Sequence, residues 1–197
     1  KYYPGQINFR ANINLIKIPH WYNPRMFSIV AVDIETTGLN PDRNEIIEIA
    51  GVRFNGRRVE AEWESLIRPR RAIPPEITRL TGISNNMVAN APILSEVIQD
   101  FAAFVGDDPV LGHNVQFELG FLRKKGVLLD NYALDTYALA AVILPTAGRY
   151  NLGALGQLLG IPFPATHRAM DDARVTHAIY HNLYQLALNL PLDLVAD

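Results

Sequence analysis

Asp33 and Glu35 lie two residues apart at the end of a β-branched, apolar run, Phe27 to Asp33. Side chains at that spacing on a strand share a face, so two carboxylates meet where a hydrophobic strand enters a loop. Glu118 falls on an apolar helix face with Val115, Phe121 and Leu122, where an acid is seldom buried unpaired. Asp172 heads the row Thr176, Ile179, Leu183, Leu186 and Leu190 of a last helix. Helical phase turns it inward and leaves Asp171 about 100° round the axis. His167, five residues before Asp172, belongs to the loop entering that helix. Each feature has a bland reading when taken alone: a chance Asp-x-Glu, a rim position, an acid favouring a helix dipole. Converging, the four acids would repel one another, and divalent cations resolve that repulsion. Hard oxygen ligands in a chain with no cysteine favour Mg²⁺ or Mn²⁺. Two such ions about 3.5–4 Å apart suit phosphodiester hydrolysis, and a histidine that titrates near neutrality suits deprotonation of the attacking water.

The elements that must position these residues can be read from period and punctuation. Phe27–Asp33 is a buried strand; residues 46–54 and 59–67 are strands around the hairpin signal Asn55-Gly56. Pro74-Pro75 opens a short helix ended near Gly82, and a second helix spans 95–105. A short strand over 109–112 precedes a helix that Asn114 can cap, running to about Lys125 with Gly126 past its end. A short strand over 132–135, a helix over 136–144, another over 151–159 closed by Gly160 and Pro162, and a long helix from about 168 to 190 complete the order. Hairpins followed by mixed strands and helices predict a three-layer α/β domain with a mixed sheet.

Composition sets the bounds. With 197 residues, of which 49% are hydrophobic and 19% charged, the chain is long enough for a substantial core and excludes bulk disorder. The lack of cysteine excludes disulfides and thiolate chemistry and fits a reducing compartment. The longest apolar run, Tyr137 to Leu144, is too short to span a membrane, and no signal-peptide core is expected at the start. A net charge of −2 means that a nucleic-acid substrate would need bound cations to offset its phosphates. The first acid is Asp33, and the composition shifts near Met26. Residues 1–25 are expected to be a foreign or loosely attached extension, 26–191 the folded domain and 192–197 a tail.

Three segments resemble the exonuclease motifs of the DnaQ-like, or DEDDh, 3′→5′ exonuclease superfamily. VAVDIETTGLNP is similar to the first motif, GHNVQFELGFL to the second and HRAMDDARVT to the third, while IPPEITRLTGIS matches a segment between the first two. The resemblance covers Phe27 to about Leu190. It implies a ribonuclease H-like fold with a central mixed five-stranded sheet flanked by helices, two Mg²⁺ or Mn²⁺ ions, and release of nucleoside 5′-monophosphates from the 3′ end of single-stranded nucleic acid. By that resemblance Asp33, Glu35 and Asp172 are metal ligands and His167 is the general base. Glu118 occupies the remaining acid position, where most of the family has Asp. A nearer likeness is to the exonuclease domain of bacterial DinG-type helicases, with LPLDLVAD similar to the stretch after that domain. This implies a bacterial cytoplasmic protein, and a helicase or polymerase module in the same protein or complex. The chain has no phosphate-binding loop of its own.

The same resemblance implies that Thr36, Thr37, Gly38 and Leu39, which follow the first motif, meet the terminal nucleotide, with the apolar residue wedged on its base. His113, Asn114 and Phe117 lie at a helix start suited to phosphate, although Phe117 could equally pack on Phe121. Arg68, Arg70 and Arg71 read as a solvated face. Two other functions fit the same residues: trimming of RNA 3′ ends, and a nucleic-acid-binding module impaired at Glu118.

Overall fold

The computed structural model of the chain describes residues 28–189. The expected boundaries near Met26 and after Pro191 lie outside the described residues. Strands β1 (Ile29–Thr36), β2 (Ile46–Asn55) and β3 (Arg58–Leu66) form an antiparallel meander. The two-residue loop of the β2–β3 hairpin is Gly56-Arg57, one residue later than the Asn55-Gly56 signal implied: Asn55 still pairs with Arg58, and Gly56 supplies the left-handed φ of +59° that the tight turn needs. Helices α1 (Pro75–Thr81), α2 (Asn85–Val88) and α3 (Leu94–Val105) follow. Then come β4 (Val110–Gly112), α4 (Gln116–Arg123), β5 (Ala133–Asp135), α5 (Thr136–Ile143), α6 (Leu152–Leu158) and α7 (Ala169–Leu188). The sheet is five-stranded and mixed, in the order β3-β2-β1-β4-β5, with β4 and β5 parallel to β1.

Strand alternation divides the core between the two faces of the sheet. Val30, Val32, Ile34 and Ile49 meet Ile98 and Phe101 of α3 and Leu119 and Leu122 of α4. Ala31, Ala50, Val52 and Phe54 meet Ala169, Met170 and Ala173 of α7. Asp33 and Glu35 are in phase with Ala31, so both side chains stand on the α7 face. Farther along, α7 buries Val175, Ile179 and Leu183 against Ala140 of α5 and Leu155 of α6. The expected stripe on α7 holds through Leu183 and ends at Leu186, which is exposed; Leu190 lies outside the described residues.

Three local expectations change. The first strand does not stop at Asp33 but runs to Thr36, because β2 keeps pairing with it: Glu35 faces Glu48 and Thr36 faces Ile46. The register slips there by one residue, a β-bulge at the end that carries the acids. Asn114 does not cap α4. It takes φ +67° and precedes the first turn, and the side chain that serves this corner is Asp135, as described below. Helix α2, four residues long, was not expected. Among the described residues no helix is long and apolar enough to cross a membrane.

Candidate active site

The site lies where the end of β1, the β2 bulge and the start of α7 meet. Asp33 and Glu35 project from β1. Asp172 sits in the first turn of α7 and is buried, while Asp171 turns outward. A ligand atom from each of Glu35, His167 and Asp172 lies within 4.8 Å of the other two. His167 is exposed, precedes α7 and takes a left-handed backbone, φ +57°. The loop before it closes on Asp172: the Thr166 N–H donates to Asp172 Oδ1 at 2.8 Å, and the Thr166 hydroxyl donates to Asp171 Oδ2 at 2.7 Å.

Glu118 reaches the same place from α4. It is 4% exposed, and its Oε2 is buried with no hydrogen-bond partner among the described residues. Leaving a buried carboxylate oxygen unpartnered is costly. The electrostatics confirm the crowding. Burial, and then the charges of Glu118, Glu35, Asp172 and Glu48, hold the Asp33 carboxyl well above its ordinary range. Burial and the charges of Asp172 and Glu48 push Glu35 up to about 8, against a smaller downward pull from Arg168. Burial, joined by Asp135 and Glu35, pushes Glu118 up to about 8, against its own backbone N–H. Asp172 is raised by burial and restrained by the N–H groups of Thr166 and His167 and by the His167 ring. The structure thus brings all five residues together. An oxygen-rich donor set with one imidazole, an orphaned carboxylate oxygen and mutual repulsion fit a divalent cation.

The flanking residues form a loop and a corner. Thr37 exchanges hydrogen bonds with Glu45, N–H to carbonyl at 2.8 Å and Glu45 N–H to the Thr37 hydroxyl at 2.9 Å, and the Thr36 hydroxyl donates to the Gly38 carbonyl at 2.7 Å. A side chain at Gly38 would have to displace the Asn44 amide, 2.7 Å from a Cβ, and hold a φ of +154°. Leu39, at the tip, is 83% exposed, an apolar side chain with no protein surface to cover it. At the corner, His113 Nδ1 lies 2.9 Å from the Thr136 hydroxyl, and burial lowers the pKa of its ring. Asn114 is exposed; Phe117 is half-buried and packs on Phe121 with ring centroids 5.2 Å apart. Arg68, Arg70 and Arg71 are exposed, with Arg70 paired to Glu45 at 2.8 Å.

Two acids escaped the sequence reading. Asp135, at the end of β5, accepts the N–H groups of Asn114 at 3.0 Å, Val115 at 3.2 Å and Tyr137 at 2.8 Å, so it fixes the corner that leads to Glu118. Glu48 interrupts the apolar run Ile46-Ile47-Glu48-Ile49, and that interruption was the signal available.

The RNase_T exonuclease family matches residues 30–180. DNA polymerase III subunit epsilon of Treponema pallidum (strain Nichols) is 36% identical over 160 residues, covering 78% of this chain and 74% of that protein. DNA polymerase III PolC-type of Clostridium perfringens (strain 13 / Type A) is 36% identical over 154 residues, covering 76% of this chain but 11% of that much longer protein. Among solved structures, exonuclease X in complex with 5′ overhanging duplex DNA superposes with a TM-score of 0.69 at 25% identity, covering 86% of this chain and 98% of that chain. These relatives bear on the superfamily and not on the finer likeness to DinG-type helicases.

Proposed function

The chain belongs to the DnaQ-like, DEDDh exonuclease superfamily, and from that premise we infer that it removes nucleotides one at a time from the 3′ end of single-stranded DNA. The observation that carries this reading is the convergence of Glu35, His167 and Asp172 within 4.8 Å, with the unpartnered Glu118 carboxylate oxygen completing the acid set around Asp33.

Asp33, Glu35, Glu118 and Asp172 would hold Mg²⁺ or Mn²⁺, two ions in all. When bound, such ions lower the pKa of water and stabilise the leaving oxygen of an in-line displacement. His167 accepts a proton from the attacking water as its oxygen bonds to phosphorus. The P–O3′ bond breaks, the departing 3′ oxygen takes a proton from solvent, His167 returns its proton to solvent, and a nucleoside 5′-monophosphate is released. The left-handed backbone of His167 keeps its ring beside the acids and open to solvent, as a group that takes and returns protons needs. Leu39 wedges against the terminal base, and Thr36, Thr37 and Gly38 line the same pocket for the sugar. His113 and Asn114, at the corner before α4, and Phe117, in its first turn, face the nucleic-acid strand. A polymerase or helicase module in the same protein or complex would supply the strand end. The buried and unpartnered state of Glu118 favours a ligand over a lesion, and with it an active enzyme over a binding module.

The test is product identity. A linear 3′-hydroxyl strand should yield nucleoside 5′-monophosphates, while a circular strand of the same sequence stays intact. Cleavage of the circle at the same rate would overturn the reading. A matched RNA strand in the same assay reports which sugar the site prefers.

A further inference from the structure

Beneath the proposed chemistry two residues that it does not use are joined. Glu48 lies inside β2 and is 3% exposed, a depth at which a carboxylate is seldom found unless paired. It faces Glu35 across the β1–β2 ladder, beside the bulge. Both of its oxygens are occupied by the start of α7, 120 residues later. Arg168 donates through Nε to each oxygen at 3.1 Å and through Nη2 to Oε1 at 2.6 Å, and the Ala169 N–H donates to Oε2 at 2.8 Å. Forked, charge-assisted bonds of this kind fix orientation as well as distance.

Arg168 and Ala169, the two residues that this clamp binds to Glu48, lie within the turn from Thr166 to Asp172. His167 adjoins Arg168 and has a backbone conformation that a side chain bearing Cβ keeps only where its surroundings impose it. Asp172 follows one turn of helix later. The cluster of Glu35, His167 and Asp172 spans strand and helix, the two bodies that Glu48 ties together. We propose that Glu48 is a positioning residue: through Arg168 and the Ala169 N–H it sets the 166–172 turn so that the His167 ring and the Asp172 carboxylate stand against Glu35. The role rests on the nuclease reading. It differs from simple stabilisation, because an ion pair whose Arg168 side chain is 39% exposed contributes little net stability of its own.

The test uses the full chain with Mn²⁺ and a 5′-labelled strand, together with amide hydrogen exchange of the metal-free protein. Glu48→Ala should lower kcat about 10–100-fold, the usual effect of losing a group that orients a ligand, with little change in KM. It should also speed exchange across 166–172. Glu48→Gln keeps one side-chain oxygen and should recover part of the rate. The double variant Glu48→Leu/Arg168→Leu removes both charges and leaves only the Ala169 N–H without its acceptor, so it should recover part of the thermal stability lost in Glu48→Ala without regaining the rate, and it carries the test if Glu48→Ala does not fold. A double variant with the parent's kcat, or exchange across 166–172 unaltered in every variant, would overturn the proposal. A parent that cleaves no strand speaks against the nuclease reading instead, and the exchange measurement still decides the clamp.

Discussion

Glu118 is the acid at which this chain departs from the family motif it resembles, and the proposed function makes it a ligand all the same. Its carboxylate is one methylene longer than Asp, and α4 holds it buried with an unpartnered oxygen, in the field of Asp33 and Glu35. Glu118→Ala should nearly abolish turnover, whereas Glu118→Asp should keep measurable activity and shift the Mg²⁺/Mn²⁺ preference. Metal titrations of the three proteins on one labelled strand check this; a fully active Glu118→Ala would remove the residue from the site. His167→Ala separates base from ligand. As a general base its loss should lower the rate roughly 10²–10⁴-fold while Mn²⁺ affinity, measured calorimetrically without substrate, survives. Loss of affinity would make it a ligand. At this scale Asp33, Glu35 and Asp172 were legible because a period of 2 or 3.6 says which way each side chain faces. Glu48 and Asp135 were not, because their meaning lies in partners: Arg168 is 120 residues from Glu48, and the Asn114 N–H is 21 from Asp135. No local period encodes such pairs.

Elements set the geometry that residues use. The strands around Asn55-Gly56, the helix behind Pro74-Pro75 and the long last helix were legible because turn chemistry and a single apolar stripe mark them. The extent of β1 was not, because pairing with Ile46 and Glu48, rather than its own composition, carries it to Thr36. The start of α4 misled for a related reason. Asn114 has the chemistry of a cap, but the N–H groups of Asn114 and Val115 go to Asp135 on the neighbouring strand. Asp135→Ala orphans these two donors and the Tyr137 N–H together. It should cost about 1–2 kcal/mol, the cost of a lost cap, measured by urea unfolding. It should also lower the cleavage rate, because the corner that aims Glu118 loosens. Unchanged stability and rate would show that the corner holds itself.

At the scale of the whole molecule, the buried acids tie folding to pH and, on the proposed function, to metal. Glu35 and Glu118 hold a proton in the folded state up to about pH 8, against an ordinary value of 4.5. Between those values the folded protein binds more protons than the unfolded chain, so stability falls as pH rises. The contribution is complete below about 4.5 and lost by about 8. With EDTA present, Tm should drop between pH 5.5 and 8 by at least about 2 °C, the smallest shift that about 1–2 kcal/mol makes in a chain of this size. Saturating Mn²⁺ should restore Tm at pH 8, because binding to the folded state alone stabilises it. A flat profile in EDTA would mean that the acids do not share one site. If these five residues make a metal-dependent 3′-end nuclease, one time course will show it. A 5′-labelled single strand is incubated with the protein in EDTA, in Mg²⁺ and in Mn²⁺. A ladder shortening stepwise from the 3′ end with either metal, and intact strand in EDTA, is the predicted result; equal degradation in EDTA, or immediate release of the 5′ label as mononucleotide, would contradict it.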